Sequence, residues 1–329
     1  MPKLSILIPT HNRADLLRRC LDSIVRQNSS AVEIIVSDNA SDDGTPSVAA
    51  TYKEIPNAHF YRHDTNIGAM ANVHSLIGRA TGKFLFFLTD DDYLEQGAVG
   101  RLCDLLTEQP NVGMFLSSVR LLDDRSGRFG AVLAFWPETT IFRPGEEALR
   151  AMFWACHILS RIMIQRDLFN VSALDDESLY GYLAAAGLVM KNSPVCYVHE
   201  ALVVHTIHNK TFWEYSEDYM TGDVIEVIER LTRGEPYGPR LAKYLVRRSV
   251  PGIIRQLAIC SMQLPSKARA LASELMRHQG YRSQPLLMIS VALLRVAPRR
   301  AVTLCWGVVQ VLRHRAHQRA AHQRAVVYD

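Results

Sequence analysis

Acidic side chains all but vanish from the last third of this chain. Residues 231–329 hold 3 Asp or Glu against 17 Lys or Arg, whereas residues 1–230 hold 30 against 20. The formal net charge of +4 therefore averages two segments of opposite sign, which must face different partners. Paired cysteines are also lacking: the 6 that occur, at positions 20, 103, 156, 196, 260 and 305, show no C-x-x-C or metal-like spacing. That excludes a small disulfide framework and implies reduced core thiols in a reducing compartment. The first apolar run, Leu4 to Ile8, meets Pro9 after too few residues for a secretory signal, so secretion is not expected. Collagen-like and coiled-coil classes are excluded, and 329 residues with 48% hydrophobic content suit a folded chain of about two domains.

Leu4-Ser5-Ile6-Leu7-Ile8 reads as a buried parallel strand ended by Pro9. Leu16, Leu17, Cys20, Leu21, Ile24 and Val25 then recur at helical spacing, with Asn12 as the N-cap and Asp15 three residues on. Glu33 to Ser37 is a second strand, and Thr45 with Pro46 opens a second helix. His59 to Arg62 is a third strand, Gly68 to Ala80 a third helix, and Lys83 to Leu88 a fourth strand that ends in Thr89-Asp90-Asp91-Asp92. Strands alternating with helices predict right-handed βαβ units, hence an open parallel sheet with polar groups gathered at the strand ends. A mixed segment follows to about residue 210.

From about 212 onward helical periodicity prevails. Pro285 to Leu294 and Ala301 to Leu312 are apolar stretches separated by Arg295, Pro298, Arg299 and Arg300, and both are shorter than the roughly 20 residues that span a bilayer. They read as basic amphipathic helices lying in a membrane interface, where each Lys or Arg near an anionic leaflet contributes about 1 kcal/mol. Nucleic acid is not the expected partner, because residues 306–329 contain only Trp306 and Tyr328 as aromatics for base stacking. His317 and His322, in a tandem Ala-His-Gln-Arg-Ala, stand five apart and do not share a helical face as a metal pair would.

Three acidic clusters lie at expected strand ends or loops: Asp38 with Asp42 and Asp43, then Asp90 to Asp92, then Asp175 to Glu177. Consecutive carboxylates repel, so Asp90-Asp91-Asp92 costs stability unless a cation neutralises it. Hard oxygen ligands of this kind suit Mg²⁺ or Mn²⁺ shared with phosphate oxygens. Together, Leu4 to Arg13, Asp38-Asn39-Ala40-Ser41-Asp42-Asp43-Gly44-Thr45, Asn66-Ile67-Gly68, and Ala80-Thr81-Gly82-Lys83 through Asp92 resemble the family 2 glycosyltransferases of GT-A fold, in order and spacing.

The resemblance implies an α/β fold of GT-A, Rossmann-like type: a central, mostly parallel sheet flanked by helices, with a mainly helical C-terminal extension. Residues 1–211 would be the transferase domain, with 1–115 its nucleotide-sugar half and 116–211 its acceptor half; 212–329 would be the basic, membrane-associating region. Asp38 would bind the pyrimidine ring of a UDP or dTDP donor, and Pro9, Thr10, Asn12, Arg13, Asn66 and Gly68 would line the nucleotide-sugar site. Thr89 stands where many members carry the first Asp of the D-x-D element. In that register Asp90 lies near the ribose and Asp91 binds the metal; a literal D-x-D reading selects Asp90 and Asp92 instead. His205 is a further candidate for the Mn²⁺ or Mg²⁺ site. The family's acidic pair, about eleven residues before a glycine that ends a helix, maps onto Asp176 as base, with Asp175 and Glu177 as rivals and Gly187 as the glycine.

The implied activity is inverting transfer of one sugar to a lipid-linked or membrane-bound glycan at the cytoplasmic membrane face, in bacterial O-antigen or capsule biosynthesis. A processive synthase is disfavoured, since the family's Gln-x-x-Arg-Trp element and a set of spanning helices are missing. A nucleotidyltransferase of related fold would open with a glycine-rich loop, whereas residues 9–13 are Pro-Thr-His-Asn-Arg.

Overall fold

The computed structural model describes residues 3–170, 181–207 and 223–263, with single positions between 272 and 291. The chain divides into two compact units, residues 1–209 and 210–329. In chain order the first contains β1 (Leu4–Thr10), α1 (Ala14–Val25), β2 (Val32–Asp38), α2 (Thr45–Thr51), β3 (Ala58–Arg62), α3 (Ala69–Ile77), β4 (Phe84–Phe87), β5 (Tyr93–Leu94), α4 (Ala98–Glu108), β6 (Met114–Asp123), β7 (Arg128–Leu133), β8 (Thr140–Phe142), α5 (Glu146–Met152), β9 (Ile162–Gln165), α6 (Gly181–Asn192) and β10 (Val195–Ile207). The second contains α7 (Asp223–Thr232) and α8 (Gly238–Gln263). In α7, Val224, Ile228 and Leu231 are buried at helical spacing, and the helix packs on α8, where Leu241 and Leu245 are buried.

The sheet runs β3-β2-β1-β4-β9-β6-β10-β5, with β7 against β6 and β8 against β10. The expected parallel arrangement holds across β3-β2-β1-β4. Beyond it the sheet is mixed, because β9 enters antiparallel between β4 and β6. One core carries the first half: Ile6, Ile8, Ile34, Val36, Phe84 and Phe86 from the strands pack with Leu17, Cys20, Leu21 and Ile24 from α1. Each such fully buried aliphatic or aromatic side chain is worth about 1.5–3 kcal/mol of transfer free energy. Cys20, Cys103, Cys156 and Cys196 are unpaired thiols.

Three local expectations are corrected. Pro9 does not stop β1. The Leu7 carbonyl accepts the Leu88 N–H at 3.0 Å, so Pro9, two residues on, turns its missing donor to the same side, past the end of the β4 ladder. Asn12 does not cap α1 either. It sits at φ +53° and its Oδ1 accepts the Asp42 N–H at 2.8 Å, while Asp43 Oδ2 accepts from the Ala14 N–H. The cap thus comes from the neighbouring loop, and Asn supplies the left-handed turn that few other residues tolerate. Gly187 does not end a helix but lies buried within α6, in a run of small residues.

The Ala80-Thr81-Gly82-Lys83 motif has a structural reason. Buried Glu33 accepts from the Ser5 hydroxyl, from the Thr81 N–H and hydroxyl at 2.7 and 2.9 Å, and from the Gly82 N–H at 3.0 Å. A Cβ on Gly82 would stand 2.7 Å from the Ser5 nitrogen and 2.9 Å from the Leu4 carbonyl carbon, backbone atoms that cannot yield. Gly82→Ala should therefore cost about 3 kcal/mol, read as a fall in Tm of roughly 6–12 °C; a fall under about 2 °C would show that the loop adapts. Burial pushes the Glu33 pKa up, but the hydrogen bonds outweigh it and hold the carboxyl below its ordinary 4.5. The folded value lies below the unfolded one, so this stability is complete above about pH 4.5 and is lost as pH falls through the lower folded value.

Candidate functional site

β2, β1 and β4 are adjacent and parallel, so their carboxyl ends open onto one edge of the sheet. Ligands of open α/β sheets bind in that crevice, because the loops diverge there and leave backbone polar groups unspent. Thr10 ends β1, Asp38 ends β2 in register with it, and the Asp90 to Asp92 triplet follows β4. Thus three of the sequence motifs meet here although they are far apart along the chain.

The first two loops are laced together. The Asn12 N–H donates to Ser41 Oγ at 2.9 Å and the Arg13 N–H to Thr45 Oγ1 at 3.2 Å. Asp38 is 5% exposed; its Oδ1 accepts the Ser41 N–H at 2.9 Å and the Ser41 hydroxyl at 2.5 Å. Its Oδ2 is buried without a hydrogen bond among the described residues, 3.6 Å from Arg62 Nη1. Asn39 pins the third motif: Nδ2 donates to Asn66 Oδ1 at 2.8 Å and to the Gly68 carbonyl at 3.2 Å, and Oδ1 accepts the Ile67 N–H at 2.9 Å. Gly68 sits at φ +89°, which a side chain would strain. Asn66 and Gly68 therefore shape the wall beside Asp38.

The triplet divides its labour. Arg13 Nη1 lies 2.8 Å from Asp90 Oδ1 and 3.0 Å from Asp91 Oδ2, so within this protein the neutralising cation is a guanidinium. Asp90 is 3% exposed, and its Oδ2 is buried without a hydrogen bond among the described residues. Burial, and after it the Asp91 carboxylate, outweigh Arg13 and push its pKa up to about 6. Asp92 and His205, expected as metal ligands, are paired with each other: His205 Nδ1 lies 3.1 Å from both Asp92 oxygens. Asp92 Oδ1 also accepts the Thr206 N–H at 2.8 Å, and Oδ2 the Thr89 hydroxyl at 3.1 Å. Thr89, in the place of the family's first Asp, is thus a donor that holds Asp92 against β10.

Among the described residues no group of three His, Cys, Asp or Glu is arranged to hold a metal ion. The fit to Mg²⁺ or Mn²⁺ rests on less: such ions take one or two carboxylates and complete their shell with substrate phosphates and water, and Asp90 with Asp91 offers that much. The buried, unbonded Asp90 Oδ2 is the oxygen that a cation would satisfy.

Asp175, Asp176 and Glu177 lie outside the described residues. Three contributors escaped the sequence reading. Arg19, on α1, donates through Nη2 to the Asp91 carbonyl at 2.8 Å and to Thr206 Oγ1 at 3.0 Å, clamping the triplet loop to β10. Arg62 donates to the Ser41 carbonyl at 2.7 Å. Ser160 Oγ accepts the Thr89 N–H at 3.0 Å and lies 2.7 Å from Thr89 Oγ1. For Arg19 and Ser160 no motif gave a signal; Arg62 could have been found only as the last residue of the third strand.

Residues 5–166 match the model of a family described as Glycosyl transferase family 2. The chain is 37% identical over 110 residues to a Campylobacter jejuni GalNAc(5)-diNAcBac-PP-undecaprenol beta-1,3-glucosyltransferase, an alignment covering 33% of this chain and 36% of that protein. It thus spans about a third of that relative's length. The fold is shared with S. aureus TarS 1-349, solved in complex with UDP-GlcNAc, at TM-score 0.60 and 16% identity, covering 95% of this chain and 92% of the other. It is shared too with the mannosyltransferase PcManGT of Pyrobaculum calidifontis, in complex with GDP-Man and Mn²⁺, at TM-score 0.52 and 17% identity, covering 90% and 87%.

Proposed function

Because residues 5–166 belong to glycosyl transferase family 2, we propose that this protein moves one sugar from a UDP- or dTDP-sugar to a hydroxyl of a lipid-linked glycan, with inversion, in bacterial surface-polysaccharide biosynthesis. The observation that carries the reading is a pair of buried carboxylate oxygens, Asp38 Oδ2 and Asp90 Oδ2, with no hydrogen-bond partner among the described residues, where three loops converge. Asp38 Oδ2 suits the N3–H of uracil or thymine, a donor that cytosine lacks. Pro9, Thr10, Asn12 and Arg13 would border the base, ribose and diphosphate.

Asp90 and Asp91 would hold Mn²⁺ or Mg²⁺, with Asp92 and His205 as the buttress behind them. When bound, the ion supplies positive charge that stabilises the departing nucleotide diphosphate. Arg13, already on both carboxylates, would be placed to meet the diphosphate. Asp176 accepts the proton of the acceptor hydroxyl as that oxygen attacks the anomeric carbon; the C–O bond to the diphosphate breaks and the diphosphate leaves with the electron pair. Residues on the sheet edge thus bind and orient the donor, and the acid ahead of α6 moves the proton.

The test is incubation of purified protein and Mn²⁺ with UDP-, dTDP-, GDP- and CDP-sugars, following nucleotide release. Binding or turnover confined to UDP or dTDP donors is expected, and none with any donor would refute the transferase reading. Asp38→Ala should raise the donor KM roughly tenfold or more, the worth of a hydrogen bond to a charged acceptor; an unchanged KM would return Asp38 to a turn-forming role.

The membrane part of the proposal rests on the basic segment and on the undecaprenol-linked substrate named for the Campylobacter relative. No helix among the described residues is long and apolar enough to cross a membrane. The contact proposed is peripheral, at the cytoplasmic face. Deleting residues 285–329 is expected to abolish sedimentation with anionic liposomes; undiminished binding would sink the proposal.

A further inference from the structure

Among the described residues Arg161 is the largest fully buried side chain, 1% exposed, and its Nε, Nη1 and Nη2 all lack a hydrogen-bond partner there. A guanidinium carries five donors in a rigid fork, and burying it without an acceptor is strongly unfavourable. Proteins rarely leave such a group bare unless something else satisfies it. The ionisable groups among the described residues whose charges bear on it are the Cys156 thiol, Tyr197 and His157, and no carboxylate is among them. Burial lowers the Arg161 pKa to about 10, so the positive charge persists at pH 7.

Hydroxyl and aromatic groups lie around it. Ser160, the preceding residue, is bonded to Thr89 at the head of the Asp triplet. The Phe135 ring covers the guanidinium, 4.7 Å from centroid to Cζ. Phe135 is only half-buried, and its neighbours Ala134 and Trp136 are exposed, so this ring stands between the guanidinium and an exposed segment. The Phe135 N–H donates to Tyr197 Oη at 2.9 Å, and that hydroxyl lies 2.6 Å from Ser118 Oγ. The exposed His157 ring lies tilted against the same Phe135 ring, 6.3 Å between centroids.

We propose that Arg161 recognises an oxyanion, a carboxylate or phosphate carried on a sugar ring of the donor or acceptor, which enters by displacing the Phe135 ring. This inference rests on the transferase reading and narrows its substrate to an acidic sugar. The fork matches two oxygens of either group, and the aromatic cover and adjacent hydroxyls suit the face and edge of a pyranose.

The test follows thermal unfolding of the full-length protein and of Arg161→Met in glucuronate, glucose 6-phosphate and glucose, with parallel arms containing UDP or dTDP plus Mn²⁺. One of the two acids, and not glucose, should raise the wild-type Tm. Glucuronate alone would assign a carboxylate and glucose 6-phosphate alone a phosphate. In Arg161→Met the affinity should fall roughly tenfold or more, while the variant by itself melts no lower than wild type, because an unpaired charge has been removed. No rise with either acid, an equal rise in both proteins, or a variant that fails to fold or melts well below wild type would overturn the proposal and make Arg161 a structural support of the Phe135 loop. A protein that answers UDP or dTDP but neither acid refutes this inference alone; one that answers no nucleotide refutes the transferase reading.

Discussion

Asp90→Asn is expected to raise the Tm of the metal-free protein at pH 7 while lowering sugar transfer at least about a hundredfold. Both effects follow from one buried carboxylate. Its pKa is pushed from 3.8 to about 6, which means that ionising it in the folded state costs up to about 3 kcal/mol relative to the unfolded chain. Asparagine keeps an acceptor for Arg13 and removes the charge. Because the folded pKa lies above the unfolded one, the native state holds the extra proton between them, and stability falls as pH rises from about 4 to about 6. The Asn variant should lack that slope. Arg13 would retain Asp91, 3.0 Å away, so the loop stays anchored. The loss of transfer comes from the other side of the same oxygen: with no anion there, the charge that stabilises the departing diphosphate is poorly held, an effect on the order of 10²–10³ in kcat. Thermal melts between pH 4 and 8 and donor turnover with Mn²⁺ check both halves. A variant less stable than wild type at pH 7 would mean that the Arg13 pairing outweighs burial, and one with full activity would remove Asp90 from the site.

Asp176→Ala should reduce kcat by about 10²–10⁴ and leave the donor KM within roughly twofold. The split follows from position. The proposed donor contacts lie on the edge formed by β1, β2 and β4, whereas Asp176 precedes α6 in sequence and is proposed to touch only the acceptor hydroxyl. Asp175→Ala and Glu177→Ala are the comparators and should retain most activity. The acid limb of the kcat profile, which reports an ionised base, should also disappear with Asp176 alone. If one of the comparators shows this pattern instead, the base is that residue; if Asp176→Ala is fully active, the assignment by motif spacing fails.

Much of the donor half was legible because its signals are local. Apolar runs of four to six residues, helical periodicity in α1, and polar clusters at strand ends all lie within single windows of sequence. The fourth strand, the helix from Ala69 and the crevice around Asp38 and Asp90 follow from them. What escaped reading was of a different kind. Pro9 looked like a strand terminator until the end of the β4 ladder showed that its absent N–H faces no partner. Asn12 and Asp15 looked like a capping box, but the cap arrives from Asp43 on another loop. The antiparallel entry of β9 between β4 and β6 left no periodic mark, since a four-residue buried strand reads the same in either direction.

The sequence by itself determined the reaction family, the position of the acidic site at the ends of β2 and β4, and the separation of an acidic body from a basic remainder. These depend on residue identity and short-range spacing, which survive without coordinates. Only the tertiary structure decided which acid does what. Asp91 and Asp92 are neighbours of like chemistry, yet one faces Arg13 and the other is consumed by His205, Thr206 and Thr89. It also decided that Glu33 serves the Thr81-Gly82 turn and that Arg161 is buried without a hydrogen-bond partner among the described residues. The physical reason is the same in each case. The fate of a polar group is set by the partners and the solvent that remain to it after folding, and those are supplied by strands and loops far away in the chain.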